Sequence, residues 1–97
     1  MIVNRRTFKV KHGKEWECVE MVKAENERLK WPVTYRIYMS NIAPWGQMVV
    51  EWEFEDLAAY DKFWTDWQAL PETEAYMKKW RKLTRPGGAN EIWDLVE

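Results

Sequence analysis

The segment from Gln47 to Leu57 reads Gln-Met-Val-Val-Glu-Trp-Glu-Phe-Glu-Asp-Leu, and its alternation constrains the fold more than any other stretch of the chain. Met48, Val50, Trp52 and Phe54 fall on one side of an extended strand, and Glu51, Glu53 and Glu55 on the other. A period of two with this contrast describes a strand that buries one face of a sheet and leaves the other open. It orients the reading of the rest of the chain.

The flanking sequence supplies the other elements. Ile2 to Lys11, ended by His12-Gly13, reads as a first strand. From Lys14 to Lys30 the residues Cys18, Val19, Met21, Val22 and Leu29 collect on one helical face, and Trp31-Pro32 ends that helix. Val33 to Ser40 alternates again, and Asn41 to Gly46 supplies a turn into the opening strand. A turn centred near Ala43-Pro44 places Ile37 opposite Val50 and Arg36 opposite Glu51, so apolar pairs share one face and charged pairs the other. Asp56 is suited to cap the next helix, where Leu57, Tyr60, Trp64 and Trp67 form a stripe. Pro71 breaks that helix, and Tyr76, Met77, Trp80 and Leu83 form a second stripe from Glu72 to about Thr84. Pro86-Gly87-Gly88 reads as a stop, and Glu91 to Glu97 as a short final strand.

This order predicts an α+β, ferredoxin-like β-α-β-β-α-β domain over residues 1–97: a four-stranded antiparallel sheet, both helices on one face and the second helix broken at Pro71. The other face of the sheet carries Val3, Arg5, Thr7, Thr34, Arg36, Tyr38, Val49, Glu51 and Glu53. It is too mixed for a core and too rich in Val and Tyr for a plain solvated surface. Two such faces apposed across a two-fold axis would enclose a partly polar cavity.

Composition narrows the function classes. A chain of 97 residues builds one core but is short for a deep cavity of its own, and Lys plus Arg (15) against Asp plus Glu (16) leaves a net charge of −1. No field gathers phosphate, so nucleic acid is not an expected partner. No run approaches the length of a membrane span, and Arg5-Arg6 stands where a secretory leader needs apolar residues, which gives the expectation of a soluble, unprocessed, cytoplasmic protein with no membrane partner. Eight Trp beside a mean hydropathy of −0.65 imply a heavily aromatic interior inside a charged exterior. Trp52, Trp64, Trp67 and Trp80 follow the core periodicities. Trp16, Trp31, Trp45 and Trp93 do not, and are candidates for subunit contacts or a pocket rim.

The candidate site lies on the open sheet face. Arg36, Glu51 and Tyr38, joined by Arg5, Thr7 and Glu53, are expected to bind a small acid or phenol, with Arg supplying a fork for a carboxylate and Tyr38 a proton donor. The plainer alternative is that Arg36 and Glu51 form a cross-strand ion pair that fixes register at a dimer interface. His12 is a turn residue without partners at ligand spacing, and the single Cys18 sits in the first helix's apolar stripe, so neither a metal, a cofactor nor a disulfide is expected.

The stretches Arg5-Arg6-Thr7-Phe8-Lys9-Val10-Lys11-His12-Gly13-Lys14, Val49 to Ala58 and Glu91-Ile92-Trp93 resemble the NIPSNAP-like branch of the dimeric α-β barrel superfamily, with Lys-His-Gly here where Lys-Pro-Gly is common. The resemblance implies a homodimeric barrel of ferredoxin-like subunits, and, if catalytic, a cofactor-independent monooxygenase or an isomerase in which Arg36 and Arg5 orient an anionic substrate, Glu51 or Glu53 takes a proton and Tyr38 stabilises the developing oxyanion. Haem-degrading members use an Asn on the first strand with a Trp and a His on the second helix. Asn4 and Trp64 or Trp67 match the first two, but no histidine lies on that helix. The competing expectation is a non-catalytic dimerisation module whose barrel is filled by side chains.

Overall fold

The computed structural model describes residues 1–42 and 44–97. Its elements are β1 (Ile2–Val10), α1 (Glu15–Leu29), β2 (Tyr35–Met39), β3 (Gln47–Phe54), α2 (Leu57–Gln68), α3 (Thr73–Leu83) and β4 (Thr84–Asp94). The sheet has the order β2-β3-β1-β4 with every neighbour antiparallel, the topology of a ferredoxin-like α+β domain. The expected register holds, with Ile37 opposite Val50 and Arg36 opposite Glu51. Ala43, in the expected turn, lies outside the described residues.

The opening strand behaves as its alternation requires. Met48, Val50, Trp52 and Phe54 are buried, and Gln47, Val49, Glu51 and Glu53 are only partly buried. The buried set meets Val10, Cys18, Val19, Val22, Trp80 and Leu83 in one core between the sheet and the helices. Trp80 packs edge-on to Phe8 with ring centroids 5.0 Å apart, and Trp64 stands edge-on to Trp52 at 4.9 Å, the geometry that aromatic quadrupoles favour.

Local chemistry sets the boundaries. Asp56 caps α2, its Oδ1 accepting from the Ala59 N–H at 2.8 Å. α1 ends at Lys30, which adopts the left-handed conformation (φ 50°) one residue before Trp31-Pro32. The broken second helix resolves into α2 and α3. Leu57 is 60 % exposed and leaves the α2 stripe, while Phe63 joins the core side of that helix. Trp31 also packs on the core, edge-on to Phe63 at 5.0 Å.

β4 departs most from expectation. The last strand begins at Thr84, directly after α3, and runs through Pro86-Gly87-Gly88 to Asp94. The glycines do not stop it. They carry a register shift between Thr7 and Lys9 of the β1 pairing, and both have positive φ (107° and 102°). A Cβ on Gly88 would lie 2.2 Å from the Thr7 carbonyl oxygen, so only glycine lets the two backbones approach here. The strand reading failed because Gly-Gly after Pro signals a turn in most sequences, and here it is a bulge.

Candidate functional site

Strand parity divides the sheet into two polar sets. On the open face, β1 presents Arg5, β2 presents Arg36 and Tyr38, and β3 presents Glu51 and Glu53. The structure brings these five residues into one network. Arg5 Nη1 stands 3.3 Å from Glu51 Oε2, Arg36 Nη1 3.1 Å from Glu53 Oε2 and Arg36 Nε 3.7 Å from Glu51 Oε1, while the Tyr38 hydroxyl donates to Glu51 Oε1 at 3.0 Å. The diagonal pair Arg36–Glu53 is therefore tighter than the directly opposed pair Arg36–Glu51. Arg36 is raised above its ordinary pKa first by the Tyr38 hydroxyl and then, against desolvation, by Glu53. Thr7 shares the face, opposite Val49, but joins none of these bonds. Each carboxylate already faces at least one guanidinium.

On the helix face the balance differs. Asn4 has no solvent exposure and makes four hydrogen bonds: its Nδ2 donates to Asn90 Oδ1 (2.6 Å) and to the Glu91 carbonyl (3.0 Å), and its Oδ1 accepts from Arg6 Nε (3.1 Å) and Trp64 Nε1 (3.2 Å). It thus ties β1 to β4 and to α2 and anchors Arg6. The Arg6 guanidinium lies 4.0 Å from the centroid of the Trp64 ring and 6.0 Å from that of Trp52. Arg6 belongs to none of the ion pairs among the described residues. Burial lowers its pKa, an effect the neighbouring Tyr60 hydroxyl opposes.

These residues border a cleft of about 210 Å³ between the sheet and helices α2 and α3, walled by Arg6, Trp52, Trp64, Trp67, Tyr76 and Trp80. Trp52 is 3 % exposed, and its Nε1 is buried without a hydrogen-bond partner. A buried, unsatisfied indole N–H costs on the order of 1–3 kcal/mol, so it is a donor in want of an acceptor. A wider groove of about 710 Å³ runs past Trp31, Phe54 and Phe63, but Lys62 and Asp66 beside it pair with each other at 2.7 Å. It is larger and chemically poorer.

Behind the cleft lies Glu25 of α1, 4 % exposed. Trp67 Nε1 donates to its Oε2 at 2.8 Å and Arg28 Nη2 to its Oε1 at 2.9 Å, so the carboxylate fixes the Trp67 ring while its charge is met by Arg28. Burial, then the charge of Glu25, pushes the Tyr76 phenol well above its ordinary pKa, and it stays protonated at neutral pH.

Of the two tryptophans matched with Asn4 to the haem-degrading pattern, Trp64 is hydrogen-bonded to Asn4, whereas Trp67 bonds to Glu25. Sequence reading missed Arg6 and Glu25. Arg6 had a visible signal: it shares strand parity with Ile2, Asn4, Phe8 and Val10, and a charge at core parity is unusual. Glu25 had a weaker one, falling four and three residues after Met21 and Val22 on the buried side of α1. His12 lies in an exposed turn, and among the described residues no group of three or more His, Cys, Asp or Glu could hold a metal ion.

Comparison with protein-family profiles finds no match, and comparison with curated proteins finds none either. Solved structures do match. A NIPSNAP family protein from Agrobacterium tumefaciens superposes with a TM-score of 0.82 at 18 % identity over 99 % of this chain and 93 % of its own. An uncharacterised NIPSNAP-like domain protein from Burkholderia xenovorans gives 0.81 at 24 % identity over 98 % and 84 %. A putative antibiotic biosynthesis monooxygenase from Deinococcus radiodurans gives 0.71 at 12 % identity over 100 % and 94 %. The likeness to NIPSNAP proteins read from the sequence thus holds at the level of the fold. The chain has the ferredoxin-like fold shared by NIPSNAP proteins and structures described as antibiotic biosynthesis monooxygenases.

Proposed function

We propose that the protein is a homodimer that binds one small, planar aromatic molecule per subunit in the cleft between the sheet and helices α2 and α3. The observation that carries the binding site is the pairing, within one aromatic-walled cleft, of an indole N–H without an acceptor and a guanidinium without a carboxylate. Stacking surfaces and a few convergent polar groups are what a small-molecule site requires.

The open sheet face supports the dimer instead. Its charges are mutually matched, and Trp93, 56 % exposed, lies beside them opposite Val3. A face of this kind suits contact with a second copy, in which Arg5, Arg36, Glu51 and Glu53 hold register. A ligand between the sheets, with Glu51 and Tyr38 as acid–base groups, would first have to break the Arg5–Glu51 and Arg36–Glu53 pairs. A small-molecule oxygenation or isomerisation is the catalytic extension, motivated by the monooxygenase descriptions of two neighbours.

Tryptophan indole N–H resonances test the location directly. Titration with 2-naphthol is expected to shift Trp52, Trp64 and Trp67 and to leave Trp16 and Trp45, which are 65 % and 84 % exposed, unmoved. Shifts confined to Trp93 would return the site to the space between the sheets, and no shift would remove the binding reading. Sedimentation at micromolar concentration tests the dimer, which a monomer under those conditions would refute. Oxygen uptake with an electron-rich phenol as probe tests the catalytic extension, and no uptake beyond the protein-free rate would count against oxygenation.

A further inference from the structure

The cleft carries a sign as well as a shape. Aromatic walls by themselves are indifferent to charge or favour cations, because the faces of the rings are electron-rich. In this cleft the cation is already present. Arg6 lies against the Trp64 face at 4.0 Å, and its Nε is committed to Asn4 Oδ1 at 3.1 Å. The terminal nitrogens Nη1 and Nη2 face no carboxylate among the described residues. The carboxylates of Glu25, Glu51 and Glu53 are otherwise engaged: Glu25 by Trp67 and Arg28, Glu51 and Glu53 on the opposite side of the sheet by Arg5 and Arg36.

Resting on the cleft as the binding site, we infer that its occupant is an anion, an aromatic carboxylate of one or two fused rings whose carboxylate takes the Arg6 fork and the Trp52 Nε1–H and whose ring lies among Trp64, Trp67 and Tyr76. Three features converge on that class. A guanidinium whose terminal nitrogens face no carboxylate among the described residues matches a carboxylate in a bidentate way, and the half-buried setting strengthens the bond by excluding water. Trp52 Nε1 supplies a second donor that an anion satisfies and a cation cannot. A volume of about 210 Å³ is below the ~300–1,000 Å³ of sites for drug-sized ligands, which limits the ring system. A second cation would meet Arg6 with nothing to offset the repulsion.

Calorimetric titration with 2-naphthoate and with its neutral isostere 2-naphthamide reads the sign directly. The acid is expected to bind at least about tenfold more tightly than the amide, the scale of a charge-assisted bond in a sheltered site. In Arg6→Gln this preference falls to within about twofold, while a thermal melt checks that the fold persists. Trp52→Phe keeps an aromatic ring, though a smaller one, removes the N–H, and lowers the affinity for 2-naphthoate several-fold, so the proposal stays testable even if Arg6→Gln does not fold. Equal binding of acid and amide to the unaltered protein overturns the anion inference and leaves the aromatic cleft standing. Binding of neither, together with silence toward 2-naphthol, overturns both.

Discussion

The two faces of one sheet hold similar polar residues in opposite electrostatic states. On the open face, Arg5 and Arg36 are balanced by Glu51 and Glu53, and the guanidinium-bearing side chains are nearly half exposed. On the helix face, Arg6 stands among aromatic rings with an amide for company, and the Trp52 N–H has no acceptor. Balanced charge in water contributes little and fixes register; unbalanced charge under cover costs stability and stores a capacity to bind. The contrast teaches that the number of charged residues on a face says less about a site than whether their partners are present.

The comparison is broken most easily where the effect is largest. Trp80→Ala removes a 7 % exposed ring that meets Phe8 and Tyr76, and urea unfolding is expected to show a loss of about 3–5 kcal/mol. Val49→Ala on the open face should cost well under half of that, and equal losses would erase the distinction between the faces. Next comes Asn4→Leu, which orphans the Trp64 N–H and the Asn90 side-chain oxygen, with an expected cost of about 2–3 kcal/mol by the same measurement. A cost below about 1 kcal/mol would mean that the Asn4 bonds are not what joins β1, β4 and α2.

Cys18 sharpens the description of the covered side through pH. Burial, then Glu17 and Glu15, push its thiol from 9.0 up to about 11. The folded thiol keeps a proton that the unfolded chain releases between those values, so its stabilising contribution is complete below pH 9 and is lost as pH rises through 11. Unfolding free energies from pH 8 to pH 11 should therefore fall more steeply for the natural chain than for Cys18→Ala, and parallel curves would show that the thiol is not shielded. The smallest effect belongs to the open face. Glu53→Gln removes the 3.1 Å pair with Arg36 and should change subunit stability by about 1 kcal/mol or less, while weakening self-association in sedimentation. The reverse outcome, a large loss of subunit stability with association intact, would contradict the role given to this face.

The sequence made the open-face set legible residue by residue, because a period of two assigns faces without any knowledge of packing: Arg5, Arg36, Tyr38, Glu51 and Glu53 follow from parity and one hairpin register. The cleft was not legible in that way. It depends on where α2 and α3 settle over the sheet, which long side chains such as Trp64 and Trp67 decide together. Asn4 and Trp64 were reachable only through the resemblance. Arg6 was reachable from parity, since it follows Asn4 by two residues and faces Val50. Glu25 shows the limit of helical patterning, because a stripe tells which positions are covered but not that a carboxylate there has found an indole and a guanidinium. The β4 boundary failed for a related reason, since whether Gly87-Gly88 turns or bulges is decided by the neighbouring Thr7 backbone and not by the glycines themselves.

The junction between α3 and β4 has no connecting loop: Leu83 ends the helix and Thr84 begins the strand. A loop absorbs displacement, whereas a direct junction passes it on. Tyr76 and Trp80 on the cleft wall are thereby joined, through that junction and the positive-φ Gly87 and Gly88, to Glu91 and Trp93 of the same strand. On the proposed binding reading, movement of α3 on ligand entry is expected to flex those glycines or to carry the edge strand along. Sedimentation with and without saturating 2-naphthoate separates the two, because a dimer whose dissociation ignores the ligand assigns all the give to the glycines.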